Sequence, residues 1–307
     1  MFEIFGVPSQ ALFGQLLLGL INGSFYALLS LGLAVIFGML NIINFTHGAQ
    51  YMLGAFTAFF LLQYAGLSYW WSLLIAPIVV GLTGVIIERA FLRWLYKLDH
   101  LYGLLLTFGL ALIIEGVFRN YFGSSGLPYP IPSGVLELPV WPYELKLIGG
   151  KNLGFMFLPN YRAWVIVFSL AVCLATWFVI ERTKLGSYLR AATENPTLVR
   201  AFGINVPRMI TLTYGFGVGL AALAGVMAAP IYNVSPQMGS DLIIVVFAVV
   251  VIGGMGSIMG AIVTGFGLGV VEGLTKVFFP EASNTVIFVI MAIVLLIRPA
   301  GLFGRRT

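Results

Sequence analysis

Long apolar runs separated by short polar breaks fill most of this chain, at about 11 to 37, 48 to 64, 70 to 88, 101 to 122, 162 to 180, 209 to 232, 241 to 256, 258 to 279 and 284 to 298. Most of them approach the roughly 20 residues that a helix needs to cross a hydrocarbon core about 30 Å thick. None shows the period-two alternation of a membrane barrel, and backbone polar groups cannot go unpaired in lipid. The pattern therefore predicts an all-α, polytopic transmembrane helix bundle of about eight to nine spans. The run 241 to 256 is short enough to be either a full span or a re-entrant segment.

Composition points the same way. Sixty per cent of the 307 residues are hydrophobic and 9% are charged, against about 25% charged in soluble domains, and the mean hydropathy is +1.02. A water-soluble fold is excluded. The 37 glycines are expected where helices approach closely through small residues. The one cysteine, Cys173, lies in an apolar run, rules out an intrachain disulfide and reads as a small buried residue. No metal site is expected, because His47 and His100 lie in separate segments with no cysteine near either. Nor does any His/Asp or Glu/His cluster, or any paired nucleophile and base, suggest an enzyme. The start Met1-Phe2-Glu3-Ile4 lacks the basic region of a cleaved signal peptide.

The net charge of +5 is informative through its placement. Arg89, Arg93 and Lys97 fall in one connection, Arg182, Lys184, Arg190, Arg200 and Arg208 in a second, and Arg298, Arg305 and Arg306 at the C-terminal end. Basic connections stay on the cytoplasmic side, so nine crossings place the N-terminus outside and the C-terminus inside. The chain then reads as one transmembrane domain, 1–307, with an external loop at 123–161 and a cytoplasmic loop at 181–208. The external loop holds Pro128, Pro130, Pro132, Pro139, Pro142 and Pro159 and only two lysines, and is either a connector or part of a docking surface. Inside the spans, Glu115 and Arg119, and likewise Glu272 and Lys276, are spaced i to i+4, so each is expected to neutralise its neighbour.

The segment Glu181 to Pro207 contains a full set of short-helix signals. Asn195 suits an N-cap, Pro196 the first helical position, and Gly203 a left-handed C-terminal stop. They predict a helix of about seven residues, about 10 Å long. Leu198 and Phe202 stand i to i+4 with Val199 one step round, giving an apolar face that no membrane covers. So short a helix is unstable alone and must pack against its own bundle or another protein.

The run Glu181-Arg182-Thr183-Lys184-Leu185-Gly186, through Arg190-Ala191 and Glu194-Asn195-Pro196 to Ala201-Phe202-Gly203-Ile204, resembles the coupling loop of permeases of the branched-chain amino acid ABC transporter family. Asn41-Ile42-Ile43-Asn44-Phe45-Thr46-His47-Gly48 with Met52-Leu53-Gly54-Ala55 resembles the family's N-terminal signature. Val251-Ile252-Gly253-Gly254-Met255-Gly256-Ser257-Ile258 with Gly260-Ala261, and the ending Arg298-Pro299-Ala300-Gly301-Leu302-Phe303-Gly304, resemble its C-terminal ones. The resemblance covers about residues 11 to 304. It implies the shorter of two permease types, lacking the extra N-terminal spans of the longer. It also implies a heterodimer with that second permease, a pair of cytoplasmic ATPase subunits, an external substrate-binding protein, and a bacterial inner-membrane location. Leu198, Val199 and Phe202 would dock into the ATPase, framed by Asn195, Pro196 and Gly203, with Arg190, Glu194 and Arg200 as rim contacts. The chain has no Gly-x-x-x-x-Gly-Lys-Ser/Thr loop, so ATP and Mg belong to the partner and no cofactor is expected here. The implied substrates are branched-chain or other hydrophobic amino acids, with urea, amides or aromatic acids as alternatives.

Three polar or glycine-rich breaks are candidates for the solute pathway, since interrupted helices expose backbone groups to a solute. They are Asn22, Ser24 and Tyr26 in the first span; Asn41, Asn44, Thr46, His47 and Gln50 before and at the start of the second; and Gly253, Gly254 and Gly256. For His47 the competing reading is a capping or interfacial residue, and for Asn22 interhelical glue. Aligning Val35–Ile42 with Val251–Ile258 puts Gly38 on Gly254 and suggests a faint internal repeat with inverted copies. The alternative function is a self-sufficient secondary transporter or channel, for which Glu115 and Glu272 would be the only ion-coupling candidates.

Overall fold

The computed structural model describes residues 3–4, 7–40, 42–96, 98–132, 148–152 and 157–304. Lys97, Arg305, Arg306, the pathway candidate Asn41 and about half of the 123–161 loop, Pro139 and Pro142 included, lie outside the described residues. Two small hairpins, β1 (Glu3–Ile4) with β2 (Val7–Pro8) and β3 (Gly150–Asn152) with β4 (Phe157–Pro159), are the only sheets among the described residues.

The helices are α1 (Ser9–Leu40), α2 (Thr46–Gln63), α3 (Tyr69–Ile87), α4 (Arg93–Leu95), α5 (His100–Phe122) and α6 (Asn160–Arg182). They continue as α7 (Lys184–Glu194), α8 (Pro196–Ala201), α9 (Val206–Tyr232), α10 (Ser240–Gly253), α11 (Ile258–Phe278) and α12 (Val286–Ile297). A π-helical segment, Glu88–Leu92, joins α3 to α4 without a break.

Among the described residues, seven helical segments are long and apolar enough to cross a membrane: Ser9–Gly38, Tyr69–Leu95, His100–Phe122, Asn160–Arg182, Val206–Tyr232, Pro236–Gly253 and Ile258–Phe278. Every expected run is helical, and two of the nine fall short. The 18 residues of α2 open on Thr46-His47-Gly48-Ala49-Gln50, all buried, so this polar turn is sheltered by protein rather than lipid. The 12 residues of α12 rise only about 18 Å.

Helices sort by depth. In α1, 83% of the most apolar stretch is buried, against 11% in α5, so α1 lies at the centre and α5 at the rim. At about 1.5 Å per residue, the 32 residues of α1 run unbroken past Asn22, Ser24 and Tyr26. The expected interruption in the first span is therefore absent: Gly19 and Gly23 lie against the backbone of α11, and glycines packed in this way are tolerated within a long apolar helix.

Small residues set the packing, because lipid offers no hydrophobic drive between helices and close van der Waals contact must supply the attraction. Gly265, Gly269 and Gly273 recur every four residues along one face of α11 and meet Ala27, Gly23 and Gly19 of α1 in reverse order. The two helices are therefore antiparallel. A similar seam joins α2 to α9, where Gly54 meets Ala222 and Gly225 meets the Tyr51 carbonyl. Hydroxyls pin the spans from another side: Tyr161 of α6 donates to the Met227 carbonyl of α9 at 2.8 Å and lies 3.0 Å from the Tyr69 hydroxyl of α3.

The turn 254 to 257 sends α11 back along α10, so α10 runs parallel to α1. Their ends meet at one side of the bundle, with Gly38 against Gly256. The expected inverted relation of the two glycine stretches is thus corrected: the copies lie side by side. Five helices of 18 residues or more, α2, α3, α5, α6 and α9, lie between α1 and α10 in the chain.

Candidate functional site

Helices α7 and α8 form an amphipathic elbow joined by a single residue. Asn195 Oδ1 accepts from the Leu198 N–H at 3.0 Å, and Pro196 fills the first helical position. Gly203 sits at φ +82° and ends the segment, its N–H donating to the Arg200 carbonyl at 2.9 Å. Here the local signals and the structure agree, because each is a backbone device complete within a few residues.

The apolar face divides. Leu198 is 54% and Phe202 77% exposed, whereas Val199 is 6% exposed and packs with Ala192, Val206, Ile204, Met209 and Ile210. The structure thus turns Val199 inward as the anchor of α8 and leaves Leu198 and Phe202 open. One step of 100° around so short a helix separates the two environments. Arg190 also differs from the expected rim residue: its Nη1 donates to the Ile180 carbonyl at 3.0 Å and to Glu181 Oε2 at 3.3 Å, tying α7 to the end of α6. Gly186 makes that fold-back possible, since a Cβ there would lie 1.6 Å from the Ile180 carbonyl oxygen. Glu194 and Arg200 are exposed. Leu185 and Tyr188 of α7 are exposed as well; the amphipathic pattern of α7 was the signal that could have marked them.

The pathway candidates fall in three separate places. The first joins α1 to α11. Tyr26 donates to Glu272 Oε2 at 2.7 Å, Asn22 Nδ2 to Glu272 Oε1 at 3.2 Å, and Lys276 forms an ion pair with the same carboxylate. Tyr232 of α9 donates to Asn22 Oδ1. The Glu272–Lys276 pairing is as expected, while among the described residues no ion pair joins Glu115 to Arg119. Ser24 does not take part; its hydroxyl donates to the Leu20 carbonyl of its own helix at 2.9 Å.

The second place is the buried start of α2. His47 Nε2 lies 3.0 Å from the Leu29 carbonyl, in space left by Gly32. Thr46 donates to the Thr107 carbonyl at 3.4 Å, and Asn44 Nδ2 to Gln50 Oε1 at 3.5 Å. Tyr214 of α9 lies beside this group. Asn44 Oδ1, His47 Nδ1, Gln50 Nε2 and the Tyr214 hydroxyl are buried beside one another without a hydrogen bond of good geometry, although buried polar groups are normally satisfied.

The third place is the α10–α11 turn, and its glycines serve the backbone. Gly254 adopts φ +100°, and the C-terminal tail crosses directly over it. The N–H groups of Leu302 and Phe303 donate to the Ile252 and Gly253 carbonyls at 2.8 and 3.1 Å, satisfying acceptors that a helix end leaves orphaned. A Cβ on Gly254 would lie 2.5 Å from Gly304 N, and one on Gly301 2.5 Å from Gly254 Cα. The tail occupies the Gly253 carbonyl and the Ser257 N–H donates to that of Gly254 at 2.9 Å, so neither glycine offers an open backbone acceptor. Gly256 instead borders a cavity of about 450 Å³ walled by the ends of α1 and α6, by α7, by the turn and by the tail.

One buried carboxylate escaped the sequence reading. Glu88, at the start of the π-helical segment, accepts from Tyr96 at 2.6 Å and from Thr211 at 2.7 Å. Its place at the end of an apolar run made it look like a boundary residue, but the helix continues for two more turns.

The sequence matches the family described as the branched-chain amino acid transport system permease component over residues 15–295. It is 31% identical over 303 residues to the high-affinity branched-chain amino acid transport system permease protein BraD of Pseudomonas aeruginosa, covering 95% of each chain. LivH of Escherichia coli, a protein of the same description, is 29% identical over 301 residues, again with 95% of each covered. Escherichia coli LivM is 28% identical over 295 residues, which is 90% of this chain but 67% of LivM. A distant solved structure, PsaBC from Streptococcus pneumoniae in complex with Fab, aligns with 91% of this chain and 89% of its own at a TM-score of 0.46 and 16% identity. This chain therefore belongs to the family of branched-chain amino acid transport permeases, and within it to the shorter permease type.

Proposed function

We propose that this chain is the transmembrane permease subunit of an ATP-binding-cassette importer and translocates branched-chain or other hydrophobic amino acids delivered by an external binding protein. A pair of cytoplasmic ATPase subunits drives it, and a longer homologous permease completes a heterodimer in a bacterial inner membrane. The N-terminus faces outward, the C-terminus faces the cytosol, and nine helices cross or enter the bilayer. Family membership supports the class. Separate LivH and LivM proteins of Escherichia coli, both similar to this chain, support a permease pair.

The observation that carries the reading is Leu198 and Phe202, two large apolar side chains left open on a capped six-residue helix. Such a face on a basic loop between long spans suits a groove on a separate motor subunit. A buried aromatic anchor at an interface contributes about 2 kcal/mol or more, so Phe202→Asp should weaken docking by at least about 30-fold. Uptake in cells carrying Phe202→Asp should be lost while membrane insertion and amount stay at wild-type level. Full uptake by that variant would refute the reading. A self-sufficient ion-coupled carrier finds no support at Glu272, whose carboxylate is engaged by Lys276, Tyr26 and Asn22.

A further inference from the structure

The cavity of about 450 Å³ has the volume of a small-molecule site, for which roughly 300–1,000 Å³ is usual. Its wall is apolar on several sides, with Phe37, Leu189, Met255 and Phe303 among the lining, and carries one opposite-charge pair, Arg190 and Glu181. That pair lies at the open side of the cavity, its side chains 40% and 45% exposed, and has atoms free to meet a solute. Both hydrogen bonds of the Arg190 side chain leave from Nη1, so Nη2 and Nε have no protein acceptor among the described residues. Glu181 engages Arg190 through Oε2 alone. A guanidinium with two spare donors in its fork fits a carboxylate, and the open Oε1 fits an ammonium.

We propose that this cavity is a holding site for a small zwitterion with an apolar side chain, with Arg190 Nη2 and Nε taking its carboxylate and Glu181 Oε1 its ammonium. The assignment deepens the permease reading and rests on it. It requires no rupture of the Arg190–Glu181 bond, and the solute's side chain lies against the apolar wall. It also links the site to the elbow: Arg190 lies on α7, and only Asn195 separates α7 from α8. Displacing α8 therefore moves the residue that grips the carboxylate, so occupancy and docking are coupled through one short rigid element.

The test uses the whole transporter complex in lipid nanodiscs, where both faces are open to reagent. Cys173 is buried, so a cysteine placed at the cavity wall, Thr193→Cys, is the accessible thiol of this chain, and its labelling is read on this subunit after separation by gel; Ser187→Cys, exposed on α7 and outside the cavity lining, is the control. Maleimide labelling is followed with leucine, leucinamide (no carboxylate) and 4-methylpentanoate (no ammonium), each titrated to about 50 mM. Labelling slows by 1 + [L]/Kd, so a site as weak as about 25 mM gives roughly threefold protection. Leucine should protect Thr193→Cys by that factor or more, the two analogues should not, and Ser187→Cys should be indifferent. Arg190→Gln and Glu181→Gln should each abolish protection, scored against that variant's own rate without solute, and Arg190→Lys should restore part of it.

No protection by leucine, equal protection by all three compounds, or protection that survives both charge-neutral variants would overturn the proposal. Leucine uptake by intact cells separates the two readings. Uptake that depends on this chain, together with absent protection, sinks the cavity assignment alone. Uptake indifferent to deletion of the chain sinks the permease reading itself.

Discussion

Replacing Gly269 by alanine adds one methyl group to the seam between α11 and α1, and the structure fixes what that methyl meets. Its Cβ would lie 2.4 Å from the Gly19 carbonyl oxygen, 2.4 Å from Gly23 Cα and 2.5 Å from Gly23 N. All three are backbone atoms of an apposed helix, so no side chain can swing aside and the two helices must part. Overpacking of this kind destabilises by about 1–3 kcal/mol, partly offset by the roughly 0.5–1 kcal/mol that alanine contributes over glycine inside a helix. Gly267, two residues earlier in the same helix, has nothing within 4 Å of its would-be Cβ, and Gly267→Ala should realise the helix term alone. The pair should therefore differ by about 1–3 kcal/mol, with opposite signs relative to wild type. Reversible SDS unfolding in mixed micelles, followed through the fluorescence of the six tryptophans, measures both. The reasoning fails if Gly269→Ala proves as stable as Gly267→Ala.

Other substitutions probe neighbouring devices. Lys276→Met leaves the Glu272 carboxylate inside the bundle with only Tyr26 and Asn22 as donors, and should destabilise by about 2–3 kcal/mol, below the usual 3–5 because those bonds remain; adding Glu272→Gln should recover most of that loss in the same unfolding assay. Gly254→Ala forces a side chain into φ +100° and against Gly304 N at 2.5 Å, so the tail should detach, seen as faster hydrogen exchange at the Leu302 and Phe303 amides. Asn195→Ala removes the acceptor for Leu198 N–H and should weaken α8 by about 1 kcal/mol, read as lower uptake with unchanged membrane amount.

Local devices were legible in residue order because each is settled within one or two turns of chain. The apolar runs fixed the helices, since any lipid-crossing backbone must satisfy its own hydrogen bonds. Asn195, Pro196 and Gly203 fixed the short helix for the same local reason. Which face of that helix stays open was another matter. Val199 and Leu198 are adjacent and similar in chemistry, yet one is buried against Val206 and Met209 and the other exposed, a choice made by residues further along.

The remaining differences share that cause. Asn22 and Tyr26 lie some 250 positions from the carboxylate they hold, and nothing in a linear reading joins them to Glu272 rather than to a solute. The glycines of the α10–α11 turn looked like exposed backbone until the C-terminal tail was seen lying across them. Composition and hydrophobic period thus specify a membrane-spanning helical body with a capped elbow. The partners of each polar group, the cavity beside Arg190 and the glycine seams arise only when helices distant in sequence pack together, because contacts between helix faces depend on azimuth and depth, which one-dimensional order does not encode.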